Sequence, residues 1–302
     1  MAAERQTEAS DSGRFGLSDS QIERVVAFAR KFRRNTKAMI GLTIVLLLFL
    51  VAAFAPVIAP YGMNETNIQD RTQGPSLEHP FGTDDLGRDI FSRVVLGSRI
   101  SLYVGFGSIS AALAIGAILG VIAGYAGGLL DEVLMRVMDA AMAFPPVLLA
   151  LTLLVVLGPE LRNVIIALAF VYTPYIARVS RSAALSERNE AYVEAAVARG
   201  ENNTRIVFSE VLPNCTAPIL VQGSLNVSFA ILAEASLSFL GLGAQPPRPS
   251  WGLMIDTGRG FMQSAPWMLL FPALAIGIAV VGFNMLGDGL RDVLDPKVEA
   301  IE

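Results

Sequence analysis

The sequence has little charge, and this scarcity excludes most soluble architectures. Of its 302 residues, 17% are charged and 53% are hydrophobic, whereas soluble domains have about 25% charged residues. A soluble protein of this composition would bury several fully apolar helices, and almost no polar segments remain to surround them. The composition therefore indicates a membrane protein.

Residue types that carry chemistry are also scarce. Cys215 is the only cysteine and His79 the only histidine, so an internal disulfide and a histidine-rich metal site are excluded. The only lysines are Lys31, Lys37 and Lys297, and none follows a glycine as a phosphate-binding loop requires. We therefore expect no ATP hydrolysis and no bound cofactor in this chain. The net charge of -4 gives no indication of nucleic-acid binding.

The apolar residues lie in long uncharged runs. A bilayer core is crossed by about 20 residues of helix, so these runs predict an all-α, polytopic protein with six transmembrane helices. The fourth run is the shortest, and we expect Arg178 and Arg181 to extend it by reaching the headgroups. The runs are 38–60, 100–130, 140–159, 163–177, 211–233 and 260–287.

The basic residues are distributed unevenly between the two sides that six spans define. One side, which includes both termini, receives 16 of the 23 lysines and arginines, and the other side receives 7. The positive-inside rule then predicts that both termini are cytoplasmic.

The chain divides into segments around these spans. A helix over 18–37 begins with Ser18 as its N-cap and has an apolar face opposite its arginines, which predicts an amphipathic elbow on the inner leaflet. The predicted segments are a disordered cytoplasmic tail at 1–17, the elbow at 18–37, a first span at 38–60, an external loop at 61–99, a core of transmembrane helices at 100–290 and a cytoplasmic tail at 291–302.

The two external segments predict a helix start and a membrane interface. Within the acidic run 79–89, the spacing does not match a calcium loop, and we interpret Thr83 or Asp84 as the N-cap of the next helix. In the other segment, we expect Trp251 and Trp267 to lie at the lipid–water boundary.

The largest cytoplasmic loop between spans, 184–212, predicts a helix, a break and a helix. Residues 190–199 are mostly good helix formers, Gly200 ends them, and Pro213 begins the next span. Small alanines on an exposed helix allow another surface to approach closely, although a solvated connector would have the same composition.

The same loop resembles the EAA loop of importer-type ABC transporter permeases. Glu210 departs from the general pattern, which has an apolar residue there. The matching residues are Glu194, Ala195, Ala196, Gly200, Leu212 and Pro213.

Residues 32–35, 79–89 and 251–297 resemble the C-type permease of dipeptide, oligopeptide and nickel importers. The resemblance implies a type I importer fold in a prokaryotic plasma membrane. The implied partners are a homologous B-type permease, two ATPases that bind ATP and Mg, and an external solute-binding protein that delivers a peptide. It also implies that Glu194, Ala195 and Ala196 dock on an ATPase. The alternative substrate in the same class of importer is nickel or another small solute.

Glu234 is the conspicuous intramembrane charge, directly after the uncharged run 211–233. A buried carboxyl group at this depth is either part of a pathway or a hydrogen-bonding site between helices. As a proton relay it would suit a second hypothesis, a proton-coupled secondary transporter that works without an ATPase.

Overall fold

The computed structural model describes residues 19–294, and these residues form helices and connecting loops with no β-strand among them. The predicted tail at 1–17, the expected cap Ser18 and residues 295–302 of the tail predicted at 291–302 lie outside the described residues, whereas residues 291–294 form the end of the last helix. In chain order the helices are α1 Asp19–Arg34, α2 Thr36–Ala53, α3 Ala55–Ile58, α4 Ile90–Ala126, α5 Gly128–Met142, α6 Pro146–Leu157, α7 Leu161–Glu187, α8 Ala191–Ala198, α9 Asn203–Arg205, α10 Leu212–Asn214, α11 Thr216–Phe239, α12 Trp251–Arg259 and α13 Trp267–Leu294. A 3₁₀ turn, Ile68–Asp70, and a π-helix, Ile206–Val211, complete the set.

Five of the described helices, α2, α4, α7, α11 and α13, are long and apolar enough to cross a membrane. The third predicted span, 140–159, differs from the prediction. Its helix α6 has 12 residues, about 18 Å at 1.5 Å per residue, which is too short for a core of about 30 Å. It meets α5 at a bend of 91°, so a sixth span exists only if this bent pair counts as one.

Helix α4 packs most closely against α7, and small residues make this approach possible. Gly116, Gly120 and Gly124 are four residues apart and therefore share one face of α4. A Cβ atom at Gly116 would lie 2.8 Å from the carbonyl oxygen of Thr173 on α7, and one at Gly120 would collide with the carbonyl of Ala177. The two helix backbones are thus in direct contact, as in small-xxx-small packing.

Two of the arginines of α7, Arg178 and Arg181, form ion pairs. Arg181 donates to Asp131 at 2.6 Å between Nη2 and Oδ2, and Arg178 pairs with Asp139. Both aspartates lie on the amphipathic helix α5. These partners are 50 and 39 residues away in sequence. Helix α7 continues past both arginines to Glu187, so the span is extended as expected, and the contact of the guanidinium groups with the headgroups stays a prediction.

The loop 61–89, which was predicted to be external, folds onto the start of α4. Asp89 is the N-cap and accepts from the backbone N–H of Ser92 at 2.7 Å, so the expected caps Thr83 and Asp84 were wrong. Asp84 instead closes a turn and pairs with Arg88 at 2.6 Å. The acids of this loop therefore satisfy nearby donors within the chain.

The tryptophans connect the two segments that were predicted to be external. Trp251 is 1% exposed, and its Nε1–H donates to the carbonyl of Val94 at 3.0 Å. Trp267 is half-buried and donates to the carbonyl of Thr83 at 3.1 Å. Both indole N–H groups thus have backbone acceptors inside the fold. The position of the two rings at the lipid–water boundary stays a prediction.

Candidate functional site

The loop that carries the EAA pattern is a compact pair of helical pieces. Helix α8 begins four residues after α7 ends, and Gly200 follows with φ of +75°, a conformation that favours glycine. Asn202 then starts the second piece by accepting from the N–H of Thr204 at 3.0 Å. From Asn203 to Asn214 the chain stays helical through the π-helix.

One face of α8 packs inside this chain. Val193 is 2% exposed and Ala196 is 0% exposed, and α8 packs against the π-helix Ile206–Val211. The sequence had assigned Ala196 to a docking contact, but the structure places its side chain inward. A short helix needs an apolar anchor in its own chain, and Ala196 is small enough to let α8 lie close to the π-helix.

The opposite face of α8 is open. Its exposed residues are Glu194, Ala195, Val197 and Ala198, which we call the coupling surface. Val197 is 56% exposed, although it is an aliphatic residue in a loop outside the long apolar helices. Beside this surface is a cavity of about 390 Å³, whose lining includes Tyr125 of α4 and Arg188 after α7.

The remaining residues of the EAA pattern lie elsewhere in the loop. Gly200 is exposed with no other group near its Cβ position. Leu212 is half-buried and Pro213 is exposed at the start of α10, and neither lines the cavity beside α8. The structure thus brings together Glu194 and Ala195 but not Leu212 and Pro213.

Tyr192 connects the two pieces of the loop and was missed from the sequence. Its hydroxyl donates to the carboxylate of Glu187 at the end of α7 and accepts from the Nδ2 amide of Asn214 at 3.2 Å. Burial, together with the Glu187 carboxylate, raises the pKa of Tyr192, so the phenol stays protonated as a donor. The only feature of the sequence that could have indicated this role is that Tyr192 is a single aromatic residue among alanines.

Glu234 lies between α4 and α11 and is enclosed. The residue is 1% exposed, and its two carboxylate oxygens accept from the hydroxyls of Ser238 at 2.7 Å and Ser101 at 3.1 Å. It lines none of the cavities described here. Of the two interpretations left open, this geometry favours a hydrogen-bonding site between helices.

Two family models match the chain. Residues 116–300 match the binding-protein-dependent transport system inner membrane component, and residues 26–75 match the N-terminal transmembrane domain of oligopeptide transport permease C. The first match contains α7, α8 and the whole loop. The chain belongs to this family of transport permeases.

Named relatives are similar over nearly the whole permease. It is 49% identical to the dipeptide transport system permease protein DppC of Alkalihalophilus pseudofirmus over 90% of this chain and 89% of the relative. It is 44% identical to the oligopeptide transport system permease protein OppC of Bacillus subtilis over 89% and 88%.

The fold is also that of a solved ABC importer permease. A chain of the MetNI methionine ABC transporter, in inward-facing conformations, superposes with a TM-score of 0.56 at 19% identity and covers 67% of this permease and 97% of the MetNI chain. The type I importer architecture expected from the resemblance is therefore confirmed at the level of the fold.

Proposed function

We propose that the chain is a permease subunit of an ATP-driven ABC importer for dipeptides or oligopeptides, and that partner chains hydrolyse the ATP with Mg. The dipeptide and oligopeptide permeases among its relatives support the substrate class. The coupling role rests on the coupling surface of α8. Val197 is exposed on this surface, while Val193 and Ala196 on the opposite face of the helix are buried in the chain.

In this proposal an ATPase subunit contacts Val197, Ala195 and Glu194. ATP binding closes the two ATPases and moves α8. The movement reaches α7 through the Tyr192–Glu187 hydrogen bond and the short connection after Glu187. Because α7 contacts the backbone of α4 directly, a displacement of α7 displaces the main helix of the bundle as well.

The surroundings of the permease follow from the same proposal. A homologous B-type permease completes the pathway, and a solute-binding protein delivers the peptide on the opposite side from α8. Both termini are cytoplasmic, in agreement with 16 of the 23 basic residues on that side. The elbow α1 then lies on the inner leaflet, and its residues Val26 and Phe28 are exposed for contact with acyl chains.

The test is a substitution that changes only the coupling surface. In the complete reconstituted importer, Val197→Asp places a charge in the proposed interface and should abolish ATP-driven peptide uptake while the permease stays folded. Ile68→Asp is the matched control, because Ile68 is an aliphatic residue of the external loop that is 79% exposed. Unchanged uptake by Val197→Asp, or equal loss in both variants, would contradict the assignment.

A further inference from the structure

One cavity beside the described helices opens on the external side and is rimmed by arginines. Its volume is about 920 Å³, in the range of cavities that bind small molecules. Three elements form it: the start of α4, the turn between α6 and α7, and the loop after α11. Arg99, Arg162 and Arg248 contribute one guanidinium group from each element.

These three arginines have no partner within the chain. None of their side chains forms a hydrogen bond or ion pair with any residue of 19–294. By contrast, Arg88, Arg93 and Arg259, on the same side, pair with aspartates. Charges left unpaired around a concave surface attract anions, because the guanidinium group donates two parallel hydrogen bonds to a carboxylate.

One acidic side chain, Glu160, also lines the cavity, and it too lacks a partner in the described part of the chain. The rim therefore has three positive groups and one negative group. In a site for a simple anion, the carboxylate of Glu160 would repel the ligand. A peptide with free termini has both a carboxylate and an ammonium group, so it complements both kinds of charge.

The wall below this rim is apolar. Tyr103 and Ile165 line the cavity, and Ile165 and Ile166 also line a second cavity, of about 380 Å³, further along α4 and α7. The two cavities are therefore neighbours along α4 and α7. An apolar wall accommodates varied side chains without selecting among them, whereas the rim recognises only the backbone termini.

We infer that the arginine rim receives peptide substrate on the external side: Arg99, Arg162 and Arg248 donate to its C-terminal carboxylate, and Glu160 accepts from its N-terminal ammonium group. This inference rests on the proposed function. It assigns recognition of the peptide termini to the permease in addition to its binding protein.

The test compares a free dipeptide with its C-terminal amide in the complete importer with its binding protein. Replacing all three arginines by glutamine should lower uptake of the free dipeptide about ten-fold, as expected for loss of charge-assisted hydrogen bonds, and should leave uptake of the amide nearly unchanged. The binding protein is the same in every variant, so its own preference cancels in the ratio. Arg71→Gln is the matched control, because Arg71 is exposed, external and outside the cavity.

A second variant tests the other end of the peptide. Glu160→Gln should impair the free dipeptide and spare its N-acetyl derivative. An unchanged ratio in both variants would overturn the inference, and so would equal loss of all peptides with a higher requirement for binding protein, which would indicate a protein-docking surface. If the unsubstituted importer shows no ATP-driven peptide uptake, the proposed function itself fails.

Discussion

Two loops of the permease, 61–89 and 184–212, are held in different ways. The first loop, predicted to be external, is fixed by contacts within the chain: Asp84 pairs with Arg88, and Trp251 and Trp267 donate to backbone carbonyls. In the second loop, predicted to be cytoplasmic, helix α8 has one buried face and one exposed face. Both loops expose an aliphatic side chain, Ile68 and Val197, so exposure alone does not separate them. The difference is that side-chain hydrogen bonds and an ion pair fix the first loop, whereas the exposed face of α8 is the one that the proposed function assigns to an ATPase subunit.

The largest expected effect on stability is at the external end. Asp84 is 5% exposed, accepts from the backbone N–H groups of Leu86 and Arg88 at 2.9 and 3.0 Å, and faces buried Arg93. Asp84→Ala would leave Arg93 with an unpaired buried charge and should lower the free energy of unfolding by about 3–5 kcal/mol, measured by thermal unfolding in detergent.

The matched control is Asp85→Ala. Asp85 is more exposed, and its contact with Arg88 is 3.7 Å long, so its removal should cost less than about 1 kcal/mol. Equal destabilisation by the two variants would show that the loop is not held by the buried pair.

A smaller effect is expected where a single hydrogen bond is removed. Trp251→Phe keeps most of the buried aromatic surface but leaves the carbonyl of Val94 without this donor. The expected loss is about 1–3 kcal/mol, observed as a lower melting temperature. A melting temperature equal to that of the unsubstituted permease would contradict the role given to the indole N–H.

Substitutions at two adjacent alanines of α8, Ala195 and Ala196, should have different effects on stability. Ala196→Leu inserts volume between α8 and the π-helix and should destabilise the loop by about 1–3 kcal/mol, while Ala195→Leu on the open face should change the stability by less than about 0.5 kcal/mol. Cys215 is the only cysteine and is fully buried next to this loop. The rate at which maleimide labels Cys215 should rise in Ala196→Leu but not in Ala195→Leu. Equal labelling rates in the two variants would contradict the arrangement of α8 with one buried and one exposed face.

The sequence predicted the features that depend on local pattern. The apolar runs, the break at Gly200 and the helix over 190–199 are set by side chains close in sequence, and the structure has them. For the third span, hydropathy predicted the apolar segment but not the 91° bend that separates α5 from α6.

The features that depend on distant partners were not predictable. Arg181 and Asp131 are 50 residues apart, and Trp251 and Val94 are 157 apart, so no local pattern indicates that they meet. For α8, the EAA pattern identified the helix but not its orientation. That Ala196 faces inward and Val197 outward follows from packing against the π-helix.

The most direct test of the central claim is the accessibility of the coupling surface. In a Cys215→Ser background, Val197→Cys should react rapidly with maleimide in the isolated permease and should be protected when the ATPase subunits are bound. Ile68→Cys on the external loop should react equally in both states. Equal labelling of Val197→Cys with and without the ATPases would contradict the claim that the cytoplasmic loop is completed by another chain.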